Sequence, residues 1–173
     1  MIGPLQENAR MLASLIGVDE DEAAERLDCT VLMTVATDAV SQTWAAEIQA
    51  LLERTVNVVL KPNSDACAVE LIVGQTAPRT SATRVYAAID AERAVIDLAP
   101  TRRDENAPHP LFGAIAASPA AAAVLFKAID AQGLPVVRFP VTIRFDQLGL
   151  STEALRARIC LLYTSDAADE EDS

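Results

Sequence analysis

The sequence predicts an α/β protein whose sheet is mostly parallel and carries an antiparallel hairpin. Three observations support this fold class. Apolar runs typical of buried strands occur at residues 30–36, 56–60 and 68–74. The first two are separated by a stretch with helical spacing, which is the strand–helix–strand unit of parallel sheets. A later pair of apolar segments, within residues 84–99, flanks a short turn at 90–92, which indicates a hairpin.

The first 28 residues are predicted to form a helical lead-in. Apolar residues between positions 5 and 16 repeat at helical spacing, and Gly17 ends the helix they form. Asp19 is positioned to cap a second short helix that runs to Leu27. Acidic residues crowd the first turn of this helix, where the helix dipole favours them. The α/β domain then spans residues 29–150.

The parallel part of the domain begins at Thr30. The segment Thr30–Ala36 is apolar and rich in β-branched residues, as strands are. The helix after it places Trp44 and Ile48 on one apolar face. The strand at residues 56–60 completes the first unit, and a polar turn leads to a third buried strand at Ala68–Gly74.

Two loops and a long helix follow. Residues 75–83 are predicted as a loop before the hairpin, and residues 100–110 as a charged loop bounded by prolines. Residues 111–130 read as a helix of small residues, whose alanine surface permits a close approach to the sheet. Pro119 is expected near a helix start or a kink, and Gly133 ends the helix.

After the last predicted strand, the sequence changes character near residue 160. Residues 136–145 alternate in polarity as a strand does, and residues 151–159 begin a further helix. Residues 160–170 then resemble, over eleven consecutive positions, the conceptual translation of a transposase sequencing adapter. We expect residues 160–173 to be an adapter-derived disordered tail and the natural sequence to continue differently after Ile159. An ordinary acidic C-terminal tail is the alternative.

The predicted sheet is Rossmann-like, but the glycines of a nucleotide site are missing. The six glycines are scattered, and neither G-x-G-x-x-G nor a P-loop follows the first strand. The turn at that point is Thr37-Asp38-Ala39, which gives the backbone no special freedom to wrap a pyrophosphate. The sequence therefore predicts a degenerate Rossmann-like domain with no cofactor in this fragment.

Charge and composition narrow the class of partner. The formal net charge is −11, and the residues from Cys160 onward carry five of the 25 acids and no base. An acidic chain argues against a nucleic acid partner, because phosphate binding needs a basic surface.

No apolar run reaches the roughly 18 residues of a membrane span, and a signal peptide is not recognisable. We expect no membrane partner, a cytoplasmic location and no disulfide framework.

Five residues are candidate ligand or anion contacts. Thr37 and Asp38 follow the first strand, at the edge where doubly wound folds bind ligands, although capping of the next helix is the simpler explanation for Asp38. Arg79 and Arg84 belong to a set of arginines that forms either an anion site or a solvated surface. His109, the single histidine, is either a general base or a loop residue that starts the next helix.

No catalytic residue and no metal ligand is assigned. Cys29 and Cys67 begin apolar strands, where a cysteine is more often a small buried hydrophobe than a nucleophile. Together with His109 they show no spacing typical of a metal site. Trp44 lies on the apolar face of its helix, which favours core packing over ligand stacking. The remaining arginines of the set are Arg93, Arg102 and Arg103.

Three segments carry a family resemblance. They are VELIVGQTAPRTSATRVYAAIDAERAVI (69–96), PHPLFGAIAASPAAAAVLFKAI (108–129) and FPVTIRFDQLGL (139–150). The middle segment, an alanine-rich helix between His109 and Phe126, is the most characteristic. Together these segments resemble the N-terminal region of bacterial ThiF/E1-like proteins, the ubiquitin-activating-type adenylyltransferases.

The resemblance implies a function for the parent protein. In such proteins this region is a degenerate Rossmann-like half before an adenylation domain with a glycine-rich ATP loop, and no such loop occurs before Ile159. It implies a truncated, non-catalytic domain whose parent adenylates a carboxylate with ATP and magnesium. The implied partners are the downstream adenylation domain, a ubiquitin-like modifier or a homodimer partner. The alternative is a stand-alone ligand-binding or regulatory module, with a pocket formed by Thr37, Asp38 and Arg79.

Overall fold

The computed structural model describes residues 4–62, 67–129 and 137–148. Within these ranges the helices are α1 (Pro4–Ile16), α2 (Glu20–Leu27), α3 (Ala39–Leu52) and α4 (Pro110–Ala128). The strands are β1 (Thr30–Val35), β2 (Asn57–Val59), β3 (Val69–Val73), β4 (Thr83–Ile89), β5 (Arg93–Asp97) and β6 (Val141–Arg144). A short 3-10 helix at Asp146–Leu148 follows β6.

The strands form one sheet in the order β2-β1-β3-β4-β5-β6. β1 pairs in parallel with β2 and with β3, and β3 pairs in parallel with β4. The β4–β5 hairpin and β6 add two antiparallel pairs. The predicted α/β class, with its mostly parallel sheet and antiparallel hairpin, is confirmed. The sequence left the strand order open. In the structure, β2 lies on one side of β1, and β3 to β6 follow in chain order on the other side.

The long helices α3 and α4 pack side by side on one face of the sheet. Trp44, Ile48 and Phe112 lie at the centre of this layer and are at most 2% exposed. α4 contacts the layer through small side chains, namely Ala116, Ala117, Ala120, Ala121 and Ala123. Because an alanine projects only a methyl group, the helix approaches the sheet closely, as its composition predicted.

The lead-in helices form a second, smaller cluster. Leu12 of α1 and Leu27 of α2 pack with Ile129, at the end of α4. The Asp19 carboxylate accepts a hydrogen bond from the backbone N–H of Glu22 at 2.8 Å, so the predicted cap of α2 is confirmed. Gly17, at φ +74°, ends α1 in the left-handed conformation that a glycine adopts without strain.

Several strands are shorter than predicted, and for β2 and β6 the backbone explains the difference. The N–H of Val56 donates to the carbonyl of Leu52 at the end of α3, so β2 starts one residue later, at Asn57. Pro140 has no N–H to donate to the ladder, so β6 starts only at Val141.

Pro119 lies within α4, which continues to Ala128, so it does not mark the start of the helix. The first turns of α4, at residues 110–118, lie before it. The predicted helix end at Gly133, the further element at 151–159 and the adapter-derived tail at 160–173 lie outside the described residues.

The close contact between α4 and the sheet should tolerate no added volume. We expect Ala120→Leu to destabilise the domain by about 1–3 kcal/mol, because a larger side chain overpacks a filled core. Ala122→Leu, on the exposed side of the same helix, should change stability by less than about 0.5 kcal/mol. Urea unfolding followed by circular dichroism measures both. Equal destabilisation of the two variants would contradict this packing.

Candidate functional site

The carboxyl ends of the parallel strands β1, β3 and β4 meet at one edge of the sheet, where doubly wound folds bind ligands. Thr37 and Asp38 follow β1, Gly74 follows β3 and Asp90 follows β4. The carboxylate of Asp38 caps α3, because its Oδ1 accepts a hydrogen bond from the Ser41 N–H at 2.9 Å. Gly74 has φ +80°, and a Cβ there would collide with the Ser41 hydroxyl. Strand and helix therefore meet tightly at this edge.

A loop of residues 98–109, here called the strap, lies across this edge. Its Arg103 donates from Nη2 to Oδ1 of Asp38, which follows β1, at 2.6 Å. The side chain of Gln75, which follows β3, donates to the carbonyl of Thr101 in the strap at 3.5 Å. The strap therefore covers the crevice that an open Rossmann edge presents to a nucleotide.

The Asp38–Arg103 ion pair fills the position directly after β1. The Arg103 side chain is 17% exposed and that of Asp38 is 37% exposed. Burial alone would raise the pKa of Asp38, but the hydrogen bonds from Ser41 and the charge of Arg103 outweigh it, so the pKa is lower than usual. In a Rossmann site this position receives phosphate groups. Here it holds a carboxylate, which would repel them.

Asp90 joins the hairpin turn to the strap. The residue is 1% exposed, and its Oδ1 accepts hydrogen bonds from the N–H groups of Glu92 and Arg93, both at 3.0 Å. Its Oδ2 accepts one from the N–H of Asp104 in the strap at 3.2 Å. Burial alone would raise the pKa of Asp90, but these hydrogen bonds and the charge of Arg93 outweigh it and lower the pKa. An aspartate turn thus replaces the Asn-Gly turn that hairpins favour.

On the other face of the sheet a buried carboxylate holds the loop of residues 75–82. Glu70, in β3, is fully buried and points away from α3 and α4. Its Oε1 accepts hydrogen bonds from the Thr34 hydroxyl at 2.6 Å and the Arg79 N–H at 2.7 Å. Its Oε2 accepts two from Thr80, from the N–H at 2.9 Å and the hydroxyl at 2.8 Å. Four donors therefore satisfy one carboxylate.

These four hydrogen bonds keep Glu70 charged. Burial alone would raise the pKa of the Glu70 carboxyl, but the bonds from Thr34, Arg79 and Thr80 outweigh it and lower the pKa. Sequence reasoning missed this residue. The signal was present, because Glu70 is an acid inside the otherwise apolar run AVELIVG, and a buried acid requires several donors.

The side chain of Arg79 lies on this same face. Its Nε donates to the Thr34 hydroxyl at 2.9 Å, and its Nη2 donates to the carbonyls of Met33 at 2.6 Å and Leu60 at 2.9 Å. The guanidinium thereby ties the loop to the ends of β1 and β2. The carbonyl of Leu60 is occupied by this bond rather than by a strand partner.

The predicted pocket of Thr37, Asp38 and Arg79 is not formed by the described residues. Asp38 contacts α3 and the strap, whereas Arg79 contacts the ends of β1 and β2 on the opposite face. Thr37 is exposed, and its carbonyl accepts a hydrogen bond from the Gln42 side chain at 3.3 Å. The sequence could not separate these residues, because it does not show on which side of the sheet a loop returns.

Arg84 and His109 have local contacts. Arg84 is exposed, and its Nη2 donates to the carbonyl of Thr80 at 3.0 Å. His109 is the cap of α4, since its Nδ1 accepts a hydrogen bond from the N–H of Leu111 at 3.2 Å. This hydrogen bond is the contact expected if His109 starts the next helix, which was one of its two predicted roles.

An apolar groove of about 250 Å³ lies between the first turns of α3 and α4. Trp44 and Val40 line it from α3, and Pro108 and Pro110 line it from the other side. The indole Nε1 of Trp44 donates to the carbonyl of Gly113 at 3.1 Å, which ties the two helices together. Trp44 is 2% exposed, so its main contribution is to the core.

The cysteines and the remaining arginines form no reactive cluster in the described parts of the chain. Cys29 and Cys67 are half-buried, and burial together with the charge of Asp28 raises the pKa of the Cys29 thiol. Among residues 4–62, 67–129 and 137–148, no three metal-ligating side chains lie together. Arg93 and Arg102 are exposed.

The sheet is mostly parallel, and side chains of the protein itself close the edge where such sheets bind ligands. These two features define a degenerate Rossmann-like domain. The chain belongs to the E1 N-terminal domain family, because the model of that family matches residues 1–151. This match confirms the resemblance to the N-terminal region of E1-like proteins. No curated protein sequence matches the chain.

A solved structure, described as a heterocyclase in complex with substrate and cofactor, is similar in fold. The TM-score is 0.56 and the sequence identity is 15% over 84% of this chain. The chain spans about 27% of the heterocyclase's length. At this identity the likeness shows the fold alone.

The Glu70 network should make stability depend on pH. We expect Glu70→Gln to cost about 2–3 kcal/mol at pH 7, because an amide cannot accept all four hydrogen bonds. The folded pKa of Glu70 lies below the unfolded value of about 4.3. Its contribution is therefore complete above that value and is lost as the pH falls through the folded pKa. Urea unfolding between pH 7 and pH 3 measures the difference between wild type and variant.

The matched control is Glu92→Gln, at an exposed position. It should change stability little at any pH. A Glu70→Gln penalty that stays the same from pH 7 to pH 3 would contradict the charged network.

Proposed function

We propose that this chain is a non-catalytic N-terminal domain of an E1-like protein, and that another domain of the parent adenylates a carboxylate. The observation that carries the proposal is the closed carboxyl edge, where Asp38, Arg103 and the strap occupy the nucleotide position. Membership of the E1 N-terminal domain family supports it. Under this proposal, ATP and magnesium bind in that other domain of the parent, and the parent is a cytoplasmic protein.

The domain's contribution would be a docking surface. α4 carries a single charged residue, Lys127, and exposes Leu111 (41%) and Ile115 (37%) beside the apolar groove. Contrary to the expectation from the sequence, α4 is long and apolar enough to cross a membrane by length and composition, with a mean hydropathy of 1.6. The core helix of a soluble protein can have the same length and composition. An uncharged exposed face next to a groove is typical of protein interfaces. We assign it to the adenylation domain of the same parent.

The first test is direct. This chain should show no saturable binding of ATP in the presence of magnesium up to about 1 mM, because the phosphate position is filled by Asp38 and Arg103. Isothermal titration calorimetry on the chain measures this. A dissociation constant in the micromolar range would contradict the non-catalytic assignment.

The second test concerns the docking surface in the parent protein, whose gene is recovered by sequencing past Ile159 in the source DNA. Leu111→Lys combined with Ile115→Lys should weaken adenylation, measured as ATP–pyrophosphate exchange, by at least tenfold, which corresponds to about 1.4 kcal/mol. The cause would be the burial of two charges in the interface.

The control for this test is Ala50→Lys, at an exposed position near the other end of α3. It should leave the exchange rate unchanged. Unchanged exchange in the Leu111/Ile115 variant would reject α4 as the docking surface. A stop codon soon after Ile159 would reject the parent adenylyltransferase. A modifier or a second copy bound to α4 instead would reject the assigned partner.

A further inference from the structure

Arg79 is a fixed guanidinium. Three of its N–H donors are used, one by the Thr34 hydroxyl and two by the carbonyls of Met33 and Leu60. Two of these bonds join the side chain to β1, and the third joins it to the residue that follows β2. A long side chain normally loses conformational entropy when it binds a ligand, but here that cost has been met on folding.

The charge of Arg79 has no direct counter-ion among the described residues. No carboxylate in these ranges lies within 4.0 Å of its guanidinium. Glu70 is linked to it only through Thr34, whose hydroxyl accepts from Arg79 and donates to Glu70. Glu70 also accepts three further hydrogen bonds from Arg79 and Thr80, so much of its charge is already compensated.

The remaining nitrogen of Arg79, Nη1, forms no hydrogen bond with the described residues. Arg79 lines a cavity of about 320 Å³ at the carboxyl end of β1, on the face opposite to α3 and α4. Its lining residues include Leu60, Ala77 and Thr76. Met33 and Val35 border it from β1, while their side chains pack with the core on the α3 and α4 face. Thr34 lines the cavity as well, but its hydroxyl already accepts from Arg79 and donates to Glu70. The cavity thus combines one cation and one remaining hydroxyl with apolar neighbours.

We propose that this cavity binds a carboxylate group, carried either by a peptide terminus or by a small free acid. A single guanidinium nitrogen and a single hydroxyl match a monoanion with an apolar remainder. A phosphate dianion needs several cations or N–H donors, which this cavity does not supply. The proposal is independent of the proposed function, because it concerns neither the strap nor α4.

The test is a titration of the ¹⁵N-labelled chain, followed by amide chemical shifts. The probes are propionate, its neutral isostere propionamide, a blocked alanine tripeptide with a free carboxylate, and inorganic phosphate. Propionate or the tripeptide should shift the amides of Thr76, Ala77 and Arg79 saturably, and propionamide should not. Binding of the tripeptide at least tenfold tighter than propionate identifies a peptide terminus, whereas equal affinity identifies a free acid.

Three variants separate the site from general effects. Arg79→Met should weaken carboxylate binding at least tenfold, and Arg84→Met, at the nearby exposed arginine, should change it less than twofold. Because Arg79→Met removes three hydrogen bonds and can unfold the loop, Ala77→Glu provides the second test. This exposed position would place a competing carboxylate at the cavity and should also weaken binding at least tenfold.

Several results would overturn the proposal. Equal shifts with propionate and propionamide would do so, as would saturable binding of phosphate alone. Unchanged carboxylate affinity in Ala77→Glu, with the variant folded by circular dichroism, would also reject this cavity as the site.

Discussion

The carboxylate of Glu70 determines how the sheet is covered on the face that α3 and α4 leave open. Parallel strands are usually joined by a helix that covers the sheet, but nine residues without a helix join β3 to β4. A loop over a sheet needs partners for its backbone N–H groups. Glu70 provides them for Arg79 and Thr80, and Arg79 in turn binds the ends of β1 and β2. One buried charge thus holds a loop in the place where a helix usually lies.

The two faces of the sheet are therefore stabilised by different kinds of interaction. One is a close-packed layer in which alanines of α4 and the indole of Trp44 exclude water. The other face buries Leu32 and Ile72 beside a network of hydrogen bonds centred on an ionised group, and that network is strong only while every donor is present. Between them, the carboxyl edge is closed by Asp38, Arg103 and Asp90. This arrangement accounts for a Rossmann-like sheet in an E1 N-terminal domain without a nucleotide loop.

Local patterns in the sequence predicted most of the fold. Apolar spacing located α3 and the strands around it, and Asp19 and Asp38 stand where caps were expected. Long-range pairs were not predictable, because Asp38 and Arg103 lie 65 residues apart and nothing local relates them. The same limit applied to Arg79. Its role as an anion contact stays a prediction, and the sequence did not show its position relative to Asp38. Glu70 was visible as a charge in an apolar strand, but its four donors come from two separate segments, β1 and the loop of residues 75–82.

The strap has a consequence for how the family can diverge. Apart from Arg103, it is held at the sheet edge through backbone atoms, namely the carbonyls of Thr101 and Asn106 and the N–H of Asp104. Backbone atoms are common to nearly every amino acid, so substitutions in the strap leave these contacts intact. Relatives can therefore differ in the amino acids of this loop while its backbone keeps the same course. We expect sequence similarity within the family to be lowest in this loop.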